Sequence, residues 1–579
     1  MFNSVLKQLF RNRARGRTEA VTARSSQSID TAMLEATRRF DTGDLAGAQA
    51  IADEVARDDP RRHQAWNLLG ALAAAAERHD LAVRHFERAI ALQPANADYL
   101  SNCGEVCRRA GWSDDAIDSC RAALAADPRH MGAYYNLGLA LFAVGEIEQA
   151  HAALTSALAI RPDARAARSA LLFLLCHHPD IDGATLLAEH RGWNELHARA
   201  LAPEFAPRTA ELAPGRKLRL GYVSADFRRH SLSYFIEPLF ANHDRDRFDV
   251  FCYSNTRRAD EVTDRLRSCV SQWRDITALS DAAAAELVMR DGIDILVDLS
   301  GHTAESRLLV FARKPAPVQV SYIGYPNTTG LAAMDYRISD GYMDPPGISD
   351  ALYTEKLLRM PHSLWCYRPP APTPDVNPLP ALQRGVTTFG SLHGFTKLNR
   401  KVIDLWARVL ARQPGSELVV AGAPAGETGA RLREQFAAQG IDAARLHLIG
   451  KLNFDDYLRL YHRIDIGLDA FPYNGGTTTC ESLWMGVPVV TLAGTYSVAR
   501  AGVSLLTSAG LPELIADSPE RYVDIATNLA RDPHRLAELR GSLRGRMQRS
   551  PLMDEAGFTR AFEALLHGAF QAASANPRS

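Results

Sequence analysis

Nowhere in these 579 residues does an apolar run reach transmembrane length. An integral membrane protein built from helices is not expected. Charge of one sign is lacking as well: 66 Lys and Arg stand against 67 Asp and Glu, a net charge of -1. No global attraction to nucleic acid or to an anionic lipid surface follows from that balance. The eight cysteines, at 103, 107, 120, 176, 252, 269, 366 and 480, form no CxxC pair. Neither a zinc knuckle nor a disulfide framework is suggested, and a reducing cytoplasm suits the chain best. The opening segment is not a secretory signal, because its short apolar stretch runs into arginines.

What is present is length and internal order. A chain of 579 residues exceeds one core, so several domains are expected. Residues 1–28 carry Lys7, Arg11, Arg13, Arg15, Arg17 and Arg24 with few apolar anchors, as a flexible basic arm would. Over 29–164, Pro60, Pro94, Pro128 and Pro162 recur every 34 residues, as do Gly70, Gly104 and Gly138, and Ala48, Ala82, Ala116 and Ala150. A 34-residue period with glycine in the first helix, alanine at the crossing and proline after the second is the tetratricopeptide pattern. Four repeats are expected, the first carrying Ala36 in place of glycine. Such an α-solenoid binds extended peptide on its concave face. Asn102 and Asn136 share a register there and are the candidate peptide-binding residues, since an amide side chain both donates and accepts. Two solvated polar positions would explain them equally well. Residues 165–215 are expected to continue the helices as a connector.

From Lys217 short β-rich runs alternate with helical spans, as in βαβ units with a parallel sheet. One α/β lobe is assigned to 216–368. A proline-rich linker follows over 369–383, then a second lobe over 384–540, and a C-terminal helix and tail over 541–579; the terminal helical region, roughly 515–570, is expected to brace the two lobes. Two Rossmann-like lobes with a cleft between their sheets' carboxyl ends make a GT-B layout. In the second lobe the stretch Tyr473-Asn-Gly-Gly-Thr-Thr-Thr-Cys-Glu481 follows an apolar strand and opens a helix. Gly475 and Gly476 turn the chain. The helix N-terminus then offers amides, and Thr477 and Thr478 offer hydroxyls, to a diphosphate. Glu481 lies one turn on and can accept from ribose hydroxyls. A plain tight turn accounts for Gly-Gly about as well.

The ordered blocks resemble the O-GlcNAc transferase and SPINDLY family. They are Gly221-Tyr-Val-Ser-Ala-Asp-Phe227 with His230, Asp298-Leu-Ser-Gly-His-Thr303, Ile323-Gly-Tyr-Pro-Asn-Thr-Thr-Gly330, Phe389 to Lys397, and the stretch ending at Glu481. The wording is closer to the bacterial SPINDLY-like branch. The resemblance implies an inverting protein O-glycosyltransferase that moves GlcNAc from UDP-GlcNAc to Ser or Thr hydroxyls of proteins recruited by the repeats. GDP-fucose is the alternative donor, and a repeat adaptor with decayed lobes is the alternative of another class. No metal or other cofactor is implied. The partners are a nucleotide-sugar and protein substrates, with no nucleic acid.

By the same resemblance Lys397 faces the leaving diphosphate and His230 lies across the cleft, as a base or as a positioning group. Gly324, Pro326, Thr328 and Thr329 face the sugar or acceptor, with His302 as a second candidate there, although a buried structural histidine fits it better. Tyr457 is placed beside the nucleobase. His393 stands where the family usually has asparagine, and Gly476 where animal members have a phosphate-contacting histidine. Asp244-Arg-Asp246 has the spacing of a metal-binding Asp-x-Asp, but its polar setting reads as a solvated turn.

Overall fold

The computed structural model describes residues 26–201, 215–424 and 426–575, which form two compact units, 1–167 and 168–579. Most of the expected basic arm lies outside the described residues.

The first unit is four helix pairs: Ser26–Asp41 with Leu45–Asp58, His63–Ala75 with His79–Leu92, Ala97–Ala110 with Ser113–Ala126, and Met131–Ala143 with Ile147–Ile160. The periodic residues have a steric cause. A Cβ on Gly70 would lie 2.8 Å from the Phe86 ring, one on Gly104 2.6 Å from Cys120 Sγ, and one on Gly138 2.7 Å from Leu154 Cγ. Ala36, Ala48, Ala82, Ala116 and Ala150 are fully buried where paired helices cross. Each repeat's proline lies two residues beyond its second helix, where no amide donor is needed.

The second unit begins earlier than the sequence pattern suggests. Most of Arg165–Leu175 and all of Gly183–His197 belong to the second unit. Leu172 and Trp193 join the core of the first lobe, and His190 Nε2 lies 2.8 Å from the Tyr325 hydroxyl. The reason is pairing: buried His190 finds a polar partner on the lobe in Tyr325, while Trp193 Nε1 donates to Ser169 Oγ within the segment.

The first lobe has seven parallel strands: β1 (Leu218–Ser224), β2 (Phe248–Ser254), β3 (Gln272–Asp275), β4 (Ile295–Asp298), β5 (Val318–Ser321), β6 (Tyr336–Asp340) and β7 (Lys356–Met360). Their order is β3-β2-β1-β4-β5-β6-β7. The second lobe has β8 (Thr388–Ser391), β9 (Glu417–Ala421), β10 (Leu446–Ile449), β11 (Ile466–Leu468), β12 (Val489–Leu492) and β13 (Ile515–Ala516), ordered β10-β9-β8-β11-β12-β13. Both sheets reverse direction of winding beside their first strand, between β1 and β4 and between β8 and β11. Chain leaving those strand ends therefore splays apart and leaves a crevice.

The proline-rich segment is fastened down. Trp484 Nε1 donates to Thr373 Oγ1 at 3.1 Å, and Arg544 donates to the Pro374 carbonyl at 2.7 Å. Helix Pro533–Gln548 holds the second lobe through buried Arg540, which donates to the carbonyls of Asn377, Ile464 and Tyr461. Helix Glu555–Ala575 returns to the first lobe, where Glu563 meets His243 Nδ1 at 2.8 Å and Phe562 packs on Tyr322. Three further bonds cross between the lobes, Ser504 Oγ to Asp340 Oδ2 at 2.5 Å, Ser497 Oγ to the Pro326 carbonyl at 2.6 Å and Arg500 Nε to the Tyr342 carbonyl at 2.9 Å.

Candidate active site

The second lobe's crevice is built by two strand ends. Chain leaving β8 carries His393 and then Lys397, in a short 3-10 turn (Phe395–Lys397). The helix that follows runs Arg400–Arg412 and is capped by Asn399, whose side chain accepts from Val402 N–H and donates to the Phe471 carbonyl. Lys397 thus precedes the helix, on a turn held at both ends. Chain leaving β11 carries Asp469, then Tyr473 to Gly476, and enters helix Thr477–Trp484.

Lys397 Nζ donates to the Asn474 carbonyl at 2.7 Å and sits 4.4 Å from the centroid of the Tyr473 ring. That ring also stacks on His177, with centroids 4.1 Å apart. Burial pushes Lys397 down to about 8, partly opposed by Asp469. An ammonium held over an aromatic face beside a single carbonyl is under-solvated, and gains from an arriving anion.

The two glycines play different parts. The Gly475 amide donates to Asp469 Oδ1 at 2.8 Å, so it does not serve a ligand as expected. What Gly475 contributes is room, since a Cβ there would lie 2.5 Å from His393 Cε1 and 2.8 Å from Thr478 Oγ1. No described protein group accepts from the amides of Gly476, Thr477 or Thr478, the first donors of the helix. They form an anion-binding turn together with the helix dipole.

On the next turn Glu481 is 4% exposed and accepts from the Tyr457 hydroxyl at 2.7 Å. Burial pushes its carboxyl up to about 7, with Tyr457 pulling the other way. Tyr457 lies beside Phe454 with near-parallel rings 6.1 Å apart and is half-buried.

Across the crevice, chain leaving β1 carries His230, an exposed ring whose Nδ1 accepts from the Leu232 amide at 3.3 Å. Its pKa is lowered by burial of its inner face, with Asp226 opposing and Arg228 assisting. Helix Ser233–Asn242 follows, and its Phe235 packs on Trp365 at 5.3 Å. A Cβ on Gly476 would touch that same Trp365 ring at 3.4 Å. Trp365 is therefore the wall shared by the His230 segment and the glycine turn.

The 324–329 loop departs from expectation. A Cβ on Gly324 would collide with the Leu299 carbonyl, so this glycine is required for the fold. The Pro326 carbonyl is taken by Ser497. Thr328 and Thr329 are fully buried, and both hydroxyls donate to Glu355, which leaves neither side chain for a sugar. His302 is 2% exposed, with Nε2 2.7 Å from the Thr329 carbonyl and its ring edge-on to His190, Trp193 and Tyr325. Burial keeps it well below the ordinary histidine range. It is a core histidine and does not reach the crevice. A loop this rich in buried hydroxyls needs an acceptor, and Glu355 is the one that sequence reading passed over.

In the repeats, Asn102 Nδ2 donates to Asn67 Oδ1 at 3.2 Å, and Asn136 Nδ2 contacts Ser101 Oγ at 3.4 Å. Asn136 is 7% exposed. These amides pin each repeat to the one before, so the register is no open peptide ladder; Leu34, at the same register in the first repeat, is 74% exposed. Asp244 Oδ1 accepts from the Asp246 amide at 3.0 Å in an exposed turn.

Sequence reading also missed Asp469, Tyr473 and Trp365 as site residues. Asp469 had a usable signal, a carboxylate directly after an apolar strand at the crevice. Trp365 and Tyr473 had none, because their roles depend on partners far away in sequence.

Helical repeats joined to two Rossmann-like lobes, with an anion-binding helix and a lysine at the switch point, define a repeat-bearing protein of GT-B architecture. Comparison narrows this. Residues 196–367 and 382–562 match the description Glycosyl transferase family 41, and 33–97, 72–131 and 110–172 match tetratricopeptide repeats. The chain belongs to glycosyl transferase family 41. It is 41% identical over 414 residues to the probable UDP-N-acetylglucosamine--peptide N-acetylglucosaminyltransferase SPINDLY of Oryza sativa subsp. japonica, covering 70% of this chain and 44% of that one. The corresponding SEC protein of Arabidopsis thaliana is 33% identical over 350 residues, 58% of this chain and 36% of that one. The chain thus spans less than half the length of these curated relatives. A solved structure of a mutant Thermobaculum terrenum O-GlcNAc transferase superposes with a TM-score of 0.79 at 36% identity, covering 96% of this chain and all of the other.

Proposed function

We propose that this glycosyltransferase moves GlcNAc from UDP-GlcNAc to Ser or Thr hydroxyls of proteins that its repeats recruit. The observation that carries the reading is the pairing of Lys397 with unengaged helix amides at Gly476 to Thr478, opposite His230. Transfer needs a diphosphate neutralised as it leaves, an acceptor hydroxyl aligned, and water kept out. Lys397 trades the Asn474 carbonyl for a phosphate oxygen, and the helix amides hold the other oxygens. Glu481 accepts from the ribose, and Tyr457 offers a ring to the base. His230 receives the Leu232 amide at Nδ1, so its neutral ring carries the proton at Nε2 and donates from there. That suits a group that positions the acceptor or sugar oxygen better than a base acting through Nε2. The printed names of the relatives, which specify UDP-N-acetylglucosamine and peptide, support the donor and acceptor. No resident cofactor enters the scheme.

Thermal unfolding with UDP and with GDP, on the wild type and on Lys397→Ala, tests the reading. A nucleotide at 100 times its dissociation constant adds about 2.7 kcal/mol. UDP is expected to shift the wild type, and GDP much less. A shift with GDP alone replaces the donor with a guanosine diphosphate sugar such as GDP-fucose, and no shift with either refutes the nucleotide site. Lys397→Ala is expected to lose about a hundredfold or more in turnover, the scale of one missing charge-stabilising group.

A further inference from the structure

The loop between the connector helices Arg165–Leu175 and Gly183–His197 grips both lobes. On the first lobe, Cys176 Sγ lies 3.4 Å from the Tyr325 hydroxyl. On the second, Lys401 Nζ lies 2.6 Å from Asp180 Oδ1 and donates to the Pro179 carbonyl at 3.2 Å. The Tyr496 hydroxyl donates to the Ile181 carbonyl at 3.1 Å. Among these anchors sits His177, 2% exposed. Its ring lies 18° from parallel with that of Tyr473, and Phe173 meets both rings edge-on, at 4.9 Å and 6.2 Å. His177 Nδ1 lies 2.9 Å from the Phe173 carbonyl, so this nitrogen carries the proton of the neutral ring and the plane of the imidazole is fixed.

Tyr473 is the ring over which the Lys397 ammonium is held. An aromatic face draws a cation through its quadrupole, but it fixes the cation's place only where the ring is itself fixed. Tyr473 owes that fixity to Phe173 and His177 of the connector. A lysine confined before an anion arrives also loses less rotamer freedom on binding it. We propose that His177 is a positioning residue, which by bracing Tyr473 holds Lys397 in place for the diphosphate before the nucleotide binds. This rests on the nucleotide-diphosphate reading above. The connector thereby shapes the donor site without touching the nucleotide.

A ring this close to an ammonium serves only if it stays uncharged. Burial holds His177 down to about 3, with the Phe173 carbonyl opposing and the charge of Lys397 assisting. His177 therefore contributes a flat surface and no second cation.

Calorimetric titration with uridine and with UDP separates the diphosphate's share of binding from that of the nucleoside; guanosine and GDP are run in parallel. His177→Leu keeps the bulk of the side chain and removes the flat face. It is expected to lower the ratio of UDP to uridine affinity about two- to tenfold, the range for one long side chain that must now be ordered on binding. Uridine affinity itself is expected to stay unchanged. His177→Phe, which keeps an aromatic face against Tyr473, is expected to retain the wild-type ratio. Because His177 acts through Lys397, the double variant His177→Leu/Lys397→Ala is expected to bind UDP no more weakly than Lys397→Ala alone. A wild-type ratio in His177→Leu, equal losses in the Leu and Phe variants, or additive losses in the double variant overturn the positioning role and leave the nucleotide site standing. Failure of both UDP and GDP to bind the wild type overturns the site, and the role of His177 with it.

Discussion

Replacing Glu481 with glutamine should stabilise the protein in a way that pH reveals. The carboxyl is 4% exposed, its one donor among the described residues is the Tyr457 hydroxyl, and burial lifts it from 4.5 to about 7. A folded-state pKa above the unfolded value means that the folded chain binds the extra proton between those limits. Below pH 4.5 the acid is neutral in both states and no penalty exists. As pH rises through about 7 the folded protein must carry a buried charge, and the penalty is complete above that. A displacement of about 2.5 pH units corresponds to about 3 kcal/mol. Glutamine has nearly the same shape, keeps an acceptor for Tyr457 and never ionises. Unfolding by urea, followed on the transition of the catalytic unit from pH 5 to 8, should therefore show Glu481→Gln gaining stability over the wild type as pH rises. The difference should be small at pH 5 and about 3 kcal/mol at pH 8. The variant should at the same time bind UDP about 10 to 100 times more weakly, since it loses a charged acceptor for the ribose. A stability difference that does not change with pH would refute the burial argument.

Three further outcomes can be checked. Since Lys397 sits at about 8, kcat/KM should fall as pH rises through that value, and a profile flat to pH 9.5 would remove the ammonium from the reaction. Gly475→Ala should cost about 1–3 kcal/mol or more through collision with His393 and Thr479, whereas Gly476→Ala, at a negative φ and 3.4 Å from Trp365, should fold normally; equal melting temperatures would contradict this division of labour. His302→Gln should lower thermal stability and leave the pH dependence of kcat/KM unchanged, because His302 is a core residue; a shifted pH profile in a folded variant would return it to the site.

The fold was legible wherever a local period carried it. Repeats spaced by 34 residues, strand runs such as Glu417–Ala421 and the glycine turn into Thr477 are written in adjacent residues, and they lie where the pattern put them. What was not legible depended on who satisfies whom. Thr328 and Thr329 look like ligand groups in sequence, but Glu355, which claims them, is 26 residues or more away and carries no motif. The connector's helices were legible, but not that buried His190 would meet Tyr325 of the lobe. Asn102 and Asn136 showed their spacing but not their direction. His393 looked like a flawed copy of a family position, and only its distances to Asp469 and Thr478 show it as a bridge.

The bonds that cross between the lobes bear on how substrates enter. Ser504 and Asp340 are both fully buried, and Ser497 holds the Pro326 carbonyl at 2.6 Å. Opening the lobes like jaws along that seam would strip a hydrogen-bonded carboxylate and leave it in a dry interface, a cost on the order of 1–3 kcal/mol for each orphaned group. The crevice accordingly favours one width, and selectivity rests on what fits between walls that these bonds hold together.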